Sequence, residues 1–318
     1  DGFPFMKPRR GASLKAPNPV EDNAPRRKYA VAGGVEVSRE KGRINTSQTA
    51  DAILKGKAGG YPFDYKLLYI MTANTLNQAP DINKTVQAFY KLEFIVVQEQ
   101  FMTATARFAD ILLPTNTFLE RNDICNGEGV PFYGYMNKAV EPLYESKSQL
   151  EIATELAARM GVSNYSDKTE DQWLRDMVKE SLVPDYDEFK KKGVYRLEIS
   201  KQYLAFEKEI KDPVNNPFPT RSGKIEIYSQ QLADMGHPQI PPIPKYIETW
   251  ESLNDPLAKK YPLQLITRHV KRRAHTQFEN IPWVRELEPQ TMIMNTVDAQ
   301  ARGIGDGDMV AVFNDRGR

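Results

Sequence analysis

The chain has 318 residues, with 43 Lys plus Arg against 42 Asp plus Glu, a formal net charge of +1 and a single cysteine, Cys125. That length exceeds what one hydrophobic core usually serves and suits about two domains of an enzyme-sized protein, while the near-zero net charge gives no global field to attract nucleic acid or coat a membrane. One cysteine excludes an internal disulfide, a cysteine-rich zinc module and an iron–sulfur cluster held by this chain alone, and no run approaches the roughly 18 apolar residues of a membrane helix.

Residues 1–60 are rich in Pro, Gly and basic side chains (KPRRGASLKAPNPVEDNAPRRKYAVAGG) and read as an extended leading segment that closes with a short helix over TADAILKG. From 61 to 125 the pattern becomes α/β. YKLLYIMT (65–72), FIVVQEQ (94–100) and ILLP (111–114) are short apolar runs separated by the helical DINKTVQAFYKL and by TATARFAD, the spacing of βαβ units around a parallel sheet. Ligands of such sheets sit beyond the carboxyl ends of the strands. Residues 126–245 form a mainly helical extension. Its clearest helix is KSQLEIATELAARMG, where Ser148 and Glu151 make a capping box and Gly161 a stop; Thr169 and Gln172 repeat the cap before WLRDMVKESL, and KIEIYS (224–229) alternates as a strand. The proline-rich HPQIPPIPKY leads into a β region over 246–318, with runs at 263–267, 291–295 and 309–313. Its last turn, NDRG, has no second strand to receive it. Together with the loop-like start, this predicts a fragment cut inside a β domain.

Several constellations carry chemistry. Asn74, Asn77 and Gln78 in ANTLNQAPD stand at a strand's carboxyl end beside a helix start, where they suit either plain turn capping or a phosphate or ribose; Gln98 and Glu99 end the next strand and tip the balance toward a site. Arg107, Asp110, Glu120 and Arg121 are expected to pair among themselves. GIGDGDM is a turn rather than a dinucleotide fingerprint, because its glycine spacing differs and β sequence follows. Cys125 reads as a buried or turn cysteine, and His269 and His275, six apart with no carboxylate cluster, do not read as a zinc site. The segment TRHVKRRAHTQF concentrates Arg268, Lys271, Arg272 and Arg273. It suits a solvated loop or a pocket for a compact anion such as a diphosphate better than a nucleic-acid patch, since stacking aromatics are sparse.

The ordered run LKGKAGGYP, NTLNQAPDINK, FIVVQEQFMTATARFADILLPTNTFLERND, EPLYESKSQLEIATELAARMG, SGKIEIYS, LQLITRHVKRRAHTQ and MNTVDAQARGIGDGDMVAVFNDRG resembles the molybdopterin oxidoreductases of the dimethyl sulfoxide reductase type, from about residue 50 onward. The resemblance implies a molybdenum (or tungsten) ion held through two molybdopterin guanine dinucleotides, and makes residues 246–318 the first half of a C-terminal dinucleotide-binding β-barrel. It carries one dinucleotide's pterin and diphosphate onto Thr267, Arg268, His269, Val270, Arg273, His275, Thr276 and Gln277. The other falls to Asn74, Gln78, Gln98, Glu99 and Arg121. Gln149 stands where relatives commonly have an Asp that accepts from guanine N–H groups; its amide oxygen still accepts but brings no charge. The family's metal ligand and any iron–sulfur cysteines are expected outside this chain, which is therefore expected to be inactive alone. The implied function is oxygen-atom transfer with a small oxidised substrate such as a sulfoxide, in an exported respiratory complex with iron–sulfur and membrane-anchor subunits and no nucleic acid. The alternative is a non-catalytic nucleotide or nucleic-acid binding module that uses residues 267–280.

Overall fold

The computed structural model describes residues 44–125, 131–163, 165–179, 181–198, 204–237, 240–275 and 277–317. Residues 1–43, most of the expected leading segment, and Thr276 lie outside the described residues. The chain forms two compact units that divide between Phe218 and Pro219.

In the first unit, helix α1 (Thr49–Lys55) precedes strand β1 (Leu67–Met71), the single-turn helix α2 (Thr75–Gln78), helix α3 (Ile82–Lys91), strand β2 (Phe94–Glu99) and strand β3 (Ile111–Pro114). The strands form a parallel sheet in the order β1-β2-β3, with Met71 opposite Gln98 and Gln98 opposite Leu113. This is the βαβ arrangement expected from the apolar runs. Side chains alternate along each strand, so Ile70, Ile95 and Val97 enter a core with Leu76, Phe89 and Ala106, while Tyr69, Val96 and Gln98 face the other way. Helix α3 begins where Asp81 accepts the Lys84 N–H at 2.9 Å, and its Ala88 packs against Ala50 and Ile53 of α1.

The helix-rich region expected over 126–245 also holds an antiparallel sheet that the sequence reading did not place. Strands β4 (Asp123–Cys125), β5 (Phe132–Met136) and β6 (Val194–Arg196) pair in that order. Tyr133 and Tyr135 of β5 pack with Leu174 and Val178 of helix α5 (Glu170–Lys179) and with Tyr186 and Phe189 of helix α6 (Tyr186–Lys192). Cys125 is exposed on β4, opposite Gly134, and is neither buried nor in a turn. The expected helix appears as α4 (Gln149–Arg159) with its capping box complete, Ser148 and Glu151 each satisfying the other's backbone N–H. Thr169 and Gln172 make the same reciprocal pair, at 2.8 and 3.3 Å, ahead of α5. The unit's last helix is α7 (Glu207–Lys211).

The second unit holds short helices α8 (Gln230–Met235), α9 (Pro282–Leu287) and α10 (Thr296–Gln300). The strands expected at 224–229, 263–267, 291–295 and 309–313 carry no strand ladder among the described residues, and no closed barrel is formed by them. Alternating apolar residues favour extended backbone, but a strand exists only where another backbone completes its hydrogen bonds. The architecture observed is mixed α/β with one parallel and one antiparallel sheet.

Candidate dinucleotide site

The carboxyl end of the parallel sheet gathers the first group of expected residues. Asn74 directly precedes α2, yet its side-chain oxygen does not cap that helix; it accepts from the Thr105 hydroxyl at 2.8 Å, and the same hydroxyl oxygen accepts from the Leu76 N–H at 3.0 Å. Thr105, fully buried, thus pins the turn between β1 and α2. Gln78 ends α2 in solvent. Gln98 is 4 % exposed; its amide nitrogen donates to the Tyr69 hydroxyl, and its amide oxygen has no hydrogen-bond partner among the described residues. A buried acceptor left without a donor is costly unless a ligand supplies one. Glu99, half-buried, accepts from the Gln100 N–H at 2.7 Å.

Arg121 and Gln149 join this end through Asn116. Beyond β3, Thr115 bridges in parallel to Lys147, and the Asn116 N–H donates to the Lys147 carbonyl at 3.1 Å, which brings the start of α4 beside the end of β3. Gln149, the first residue of α4, is exposed there. The Arg121 guanidinium donates to the Asn116 carbonyl (3.1 Å) and side-chain oxygen (3.2 Å) and meets Asp123 at 3.3 Å. The expected pairing of Arg107, Asp110, Glu120 and Arg121 is not found. The acids satisfy backbone donors instead: Asp110 accepts from Ile95, and Glu120 from Thr117 and Leu143, at 2.6–2.7 Å. Burial works against charge at Glu120, but the Thr117 and Leu143 N–H groups and the Thr117 hydroxyl hold its carboxyl below the ordinary range. Sequence reading passed over Thr105, Asn116 and Tyr69. The alternation YKLLYIM, which turns Tyr69 away from the core face, was the one signal that pointed to any of them.

In the second unit, Thr267, Arg268, His269, His275 and Gln277 are exposed and Val270 is half-buried. The chain turns between them: the Arg273 N–H donates to the Val270 carbonyl, and Ala274 bridges to Gln277. This turn brings together two residues that their spacing seemed to separate, His269 and His275, whose rings lie edge to face with centroids 5.7 Å apart. His275 sits at φ 56°, in the left-handed region that a histidine seldom occupies. The Arg273 side chain is 7 % exposed; it pairs with Glu279 and donates to the Glu288 carbonyl at 2.8 Å, while its Nε has no partner among the described residues. Arg272 donates its N–H to the Glu288 carboxylate. Arg268 and Lys271 form no ion pair among the described residues, so their charge stays available. Among those residues no group of three or more His, Cys, Asp or Glu is arranged to hold a metal ion.

Parallel-sheet strand ends rich in acceptors, and a cationic turn elsewhere in the same chain, are what a bulky anionic nucleotide cofactor needs from a protein. Residues 36–159 match the family described as Molybdopterin oxidoreductase, and residues 263–318 match the Molydopterin dinucleotide binding domain. The chain belongs to the molybdopterin oxidoreductases. Within them it is 37 % identical over 274 residues to the dimethyl sulfoxide reductase DmsA of Escherichia coli (strain K12), covering 79 % of this chain and 34 % of that protein. It is 35 % identical over 285 residues to the dimethyl sulfoxide/trimethylamine N-oxide reductase of Cereibacter sphaeroides, covering 83 % of this chain and 34 % of that protein. The chain therefore spans about a third of the length of these relatives. The acetylene hydratase of Pelobacter acetylenicus superposes with a TM-score of 0.63 over 96 % of this chain and 40 % of the other; at 24 % identity this speaks for a shared fold alone.

Proposed function

We propose that this chain is the middle and the start of the dinucleotide-binding part of a catalytic subunit that carries molybdenum, or tungsten, bound through two molybdopterin guanine dinucleotides, and that removes an oxygen atom from a small S-oxide or N-oxide. The matched relatives are named for such reductions, and that supports the substrate class. The observation that carries the reading is the unpartnered amide oxygen of Gln98, buried where parallel sheets receive nucleotides. Bound here, the cofactor would supply the redox chemistry of the reaction. The chain's own residues hold and orient it. Gln98, Glu99, Asn74, Gln78, Arg121 and Gln149 would take one dinucleotide, with Asn116 fixing the Arg121 guanidinium. Thr267, Arg268, His269, Val270, Arg273, His275, Thr276 and Gln277 would take the pterin and diphosphate of the other, with Arg268 supplying free positive charge.

A nucleic-acid module draws no support from the matched families, which are those of cofactor-binding reductases. No described helix is long and apolar enough to cross a membrane. The proposed setting is an exported respiratory complex with iron–sulfur and membrane-anchor subunits as partners. The decisive experiment purifies the protein from its complete reading frame and measures metal by mass spectrometry and acid-released GMP by chromatography. Molybdenum or tungsten with GMP is expected; a protein that folds and holds neither overturns the reading.

A further inference from the structure

The turn over Asn314, Asp315 and Arg316, expected from the sequence to await a second strand, is received instead by side chains from residues 250–261 of the same unit. Four consecutive residues are each held. The Phe313 ring meets the Tyr261 ring edge to face at 6.1 Å, and Asn314 donates to the Glu251 carboxylate at 2.6 Å. Asp315 accepts from the Lys260 ammonium and from the Tyr261 hydroxyl, both at 2.6 Å. The Arg316 guanidinium donates to Glu251 at 2.6 Å and lies 6.0 Å from the centre of the Trp250 ring. The receiving loop is itself braced. Glu251 has φ 61°, a left-handed backbone uncommon for glutamate, and Asp255 holds it there: its carboxylate accepts the Glu251 N–H at 2.8 Å and, at 2.8 Å, the Leu257 N–H at the start of the 3₁₀ turn Pro256–Lys259.

A single exposed ion pair contributes little, whereas several charges that share acceptors form a network that counts. Apolar packing does not take over that task, since Val284 is the one buried hydrophobic residue among those described in this unit. Glu251, Lys260 and Tyr261 precede residues 263–318, the stretch matched by the dinucleotide binding domain, and the turn they grip lies inside it. In sequence, the cationic residues Arg268 to Arg273 fall between the two. We propose that residues 250–261 are an ionic latch: they fasten the turn at 313–316 and so close the intervening chain, Arg268 to Arg273 included, into a loop tied at both ends. A closed loop has fewer conformations than an open one, so the latch limits how far the cationic turn can stray. It goes beyond the cofactor reading, because all of its contacts lie within this chain and need no ligand.

The test is amide hydrogen exchange, read by mass spectrometry, on the protein from the complete reading frame. Wild type is compared with Asp315→Ala, with Lys260→Asp and with the swap that combines Lys260→Asp and Asp315→Lys. Each single variant is expected to speed exchange in peptides covering 250–261, 267–273 and 313–316 by about threefold or more, the scale of a small ionic network, and to leave the parallel sheet unchanged. The swap restores opposite charges and should return the rates to within about twofold of wild type, a rescue that a general loss of structure would not allow. Salt gives a second arm: 1 M sodium chloride screens exposed pairs, so it should speed exchange in the same peptides of wild type and do less in Asp315→Ala. That arm carries the test alone if the variants lose their native circular dichroism, and no response to salt in wild type then overturns the latch. Single variants within about twofold of wild type overturn it as well, as does a swap that fails to restore protection. Faster exchange at 250–261 and 313–316 with none across 267–273 overturns the closing of the loop. The GMP content of the same wild-type protein reports on the cofactor reading separately, so either can fail while the other stands.

Discussion

Glu120 is a carboxylate almost wholly withdrawn from water, 5 % exposed, that survives by accepting backbone N–H groups from two separate turns, at Thr117 and at Leu143. Those bonds hold it below the ordinary glutamate value of 4.5, so its contribution to stability is complete above that pH and is lost as pH falls through the lower, folded value. Glu120→Gln turns an amide N–H₂ toward one of the two donors and should cost about 1–3 kcal/mol at neutral pH. Urea unfolding should show the gap between wild type and variant narrowing below pH ~4.5, because only the wild type loses stability as the carboxylate protonates. Thr105 works in a similar way without charge. With 0 % exposure it joins Asn74 to the Leu76 backbone, and Thr105→Val, alike in shape, should cost about 1–3 kcal/mol by leaving both groups unpaired. The same variant should loosen the turn that carries Asn74 and Gln78, and lower the GMP content of the purified protein.

At the level of elements, the parallel sheet was legible because each strand is a contiguous apolar run, with a helix of matching length between the first two; the central strand, β2, is the one buried along its length. The α4 cap was legible because Ser148 and Glu151 are three residues apart and need no other part of the chain. Ser148→Ala should cost about 0.5–2 kcal/mol by chemical denaturation, and should disturb Gln149, the next residue, more than any group on the antiparallel sheet. That antiparallel sheet was not legible. Strands β4 and β6 have only three residues each, and β6 joins β5 from about sixty residues away in the chain, so local pattern carries almost none of the signal. The opposite error occurred in the second unit, where alternation at 224–229 and the apolar run at 309–313 predicted strands that no backbone among the described residues completes. The site divides along the same line. Gln98 and Glu99 follow from where a strand ends, whereas Asn116 and Thr105 matter through contacts with Arg121 and Asn74 that only the folded chain brings about.

For the whole molecule, the arithmetic of charge and apolar surface differs between the two units. The first has buried cores around Val97 and around Phe189, though Tyr90, Tyr144 and Met160 stay exposed. The second leaves Ile266 88 % and Met309 99 % exposed, with Ile225, Ile227, Leu265 and Ile293 also in water, and no buried cluster of several residues among those described. A net charge of +1 offers little repulsion to keep such surfaces apart. The 318-residue chain by itself should therefore bind the dye ANS strongly and associate at rising concentration in sedimentation velocity. It should also give no turnover with dimethyl sulfoxide and a reduced viologen, since it spans about a third of its reductase relatives. The longer protein from the complete reading frame should bind less dye per mole if its further residues cover these runs. Equal dye binding by both would show that the exposed runs are open in the intact protein too, and that a barrel is not what completes them.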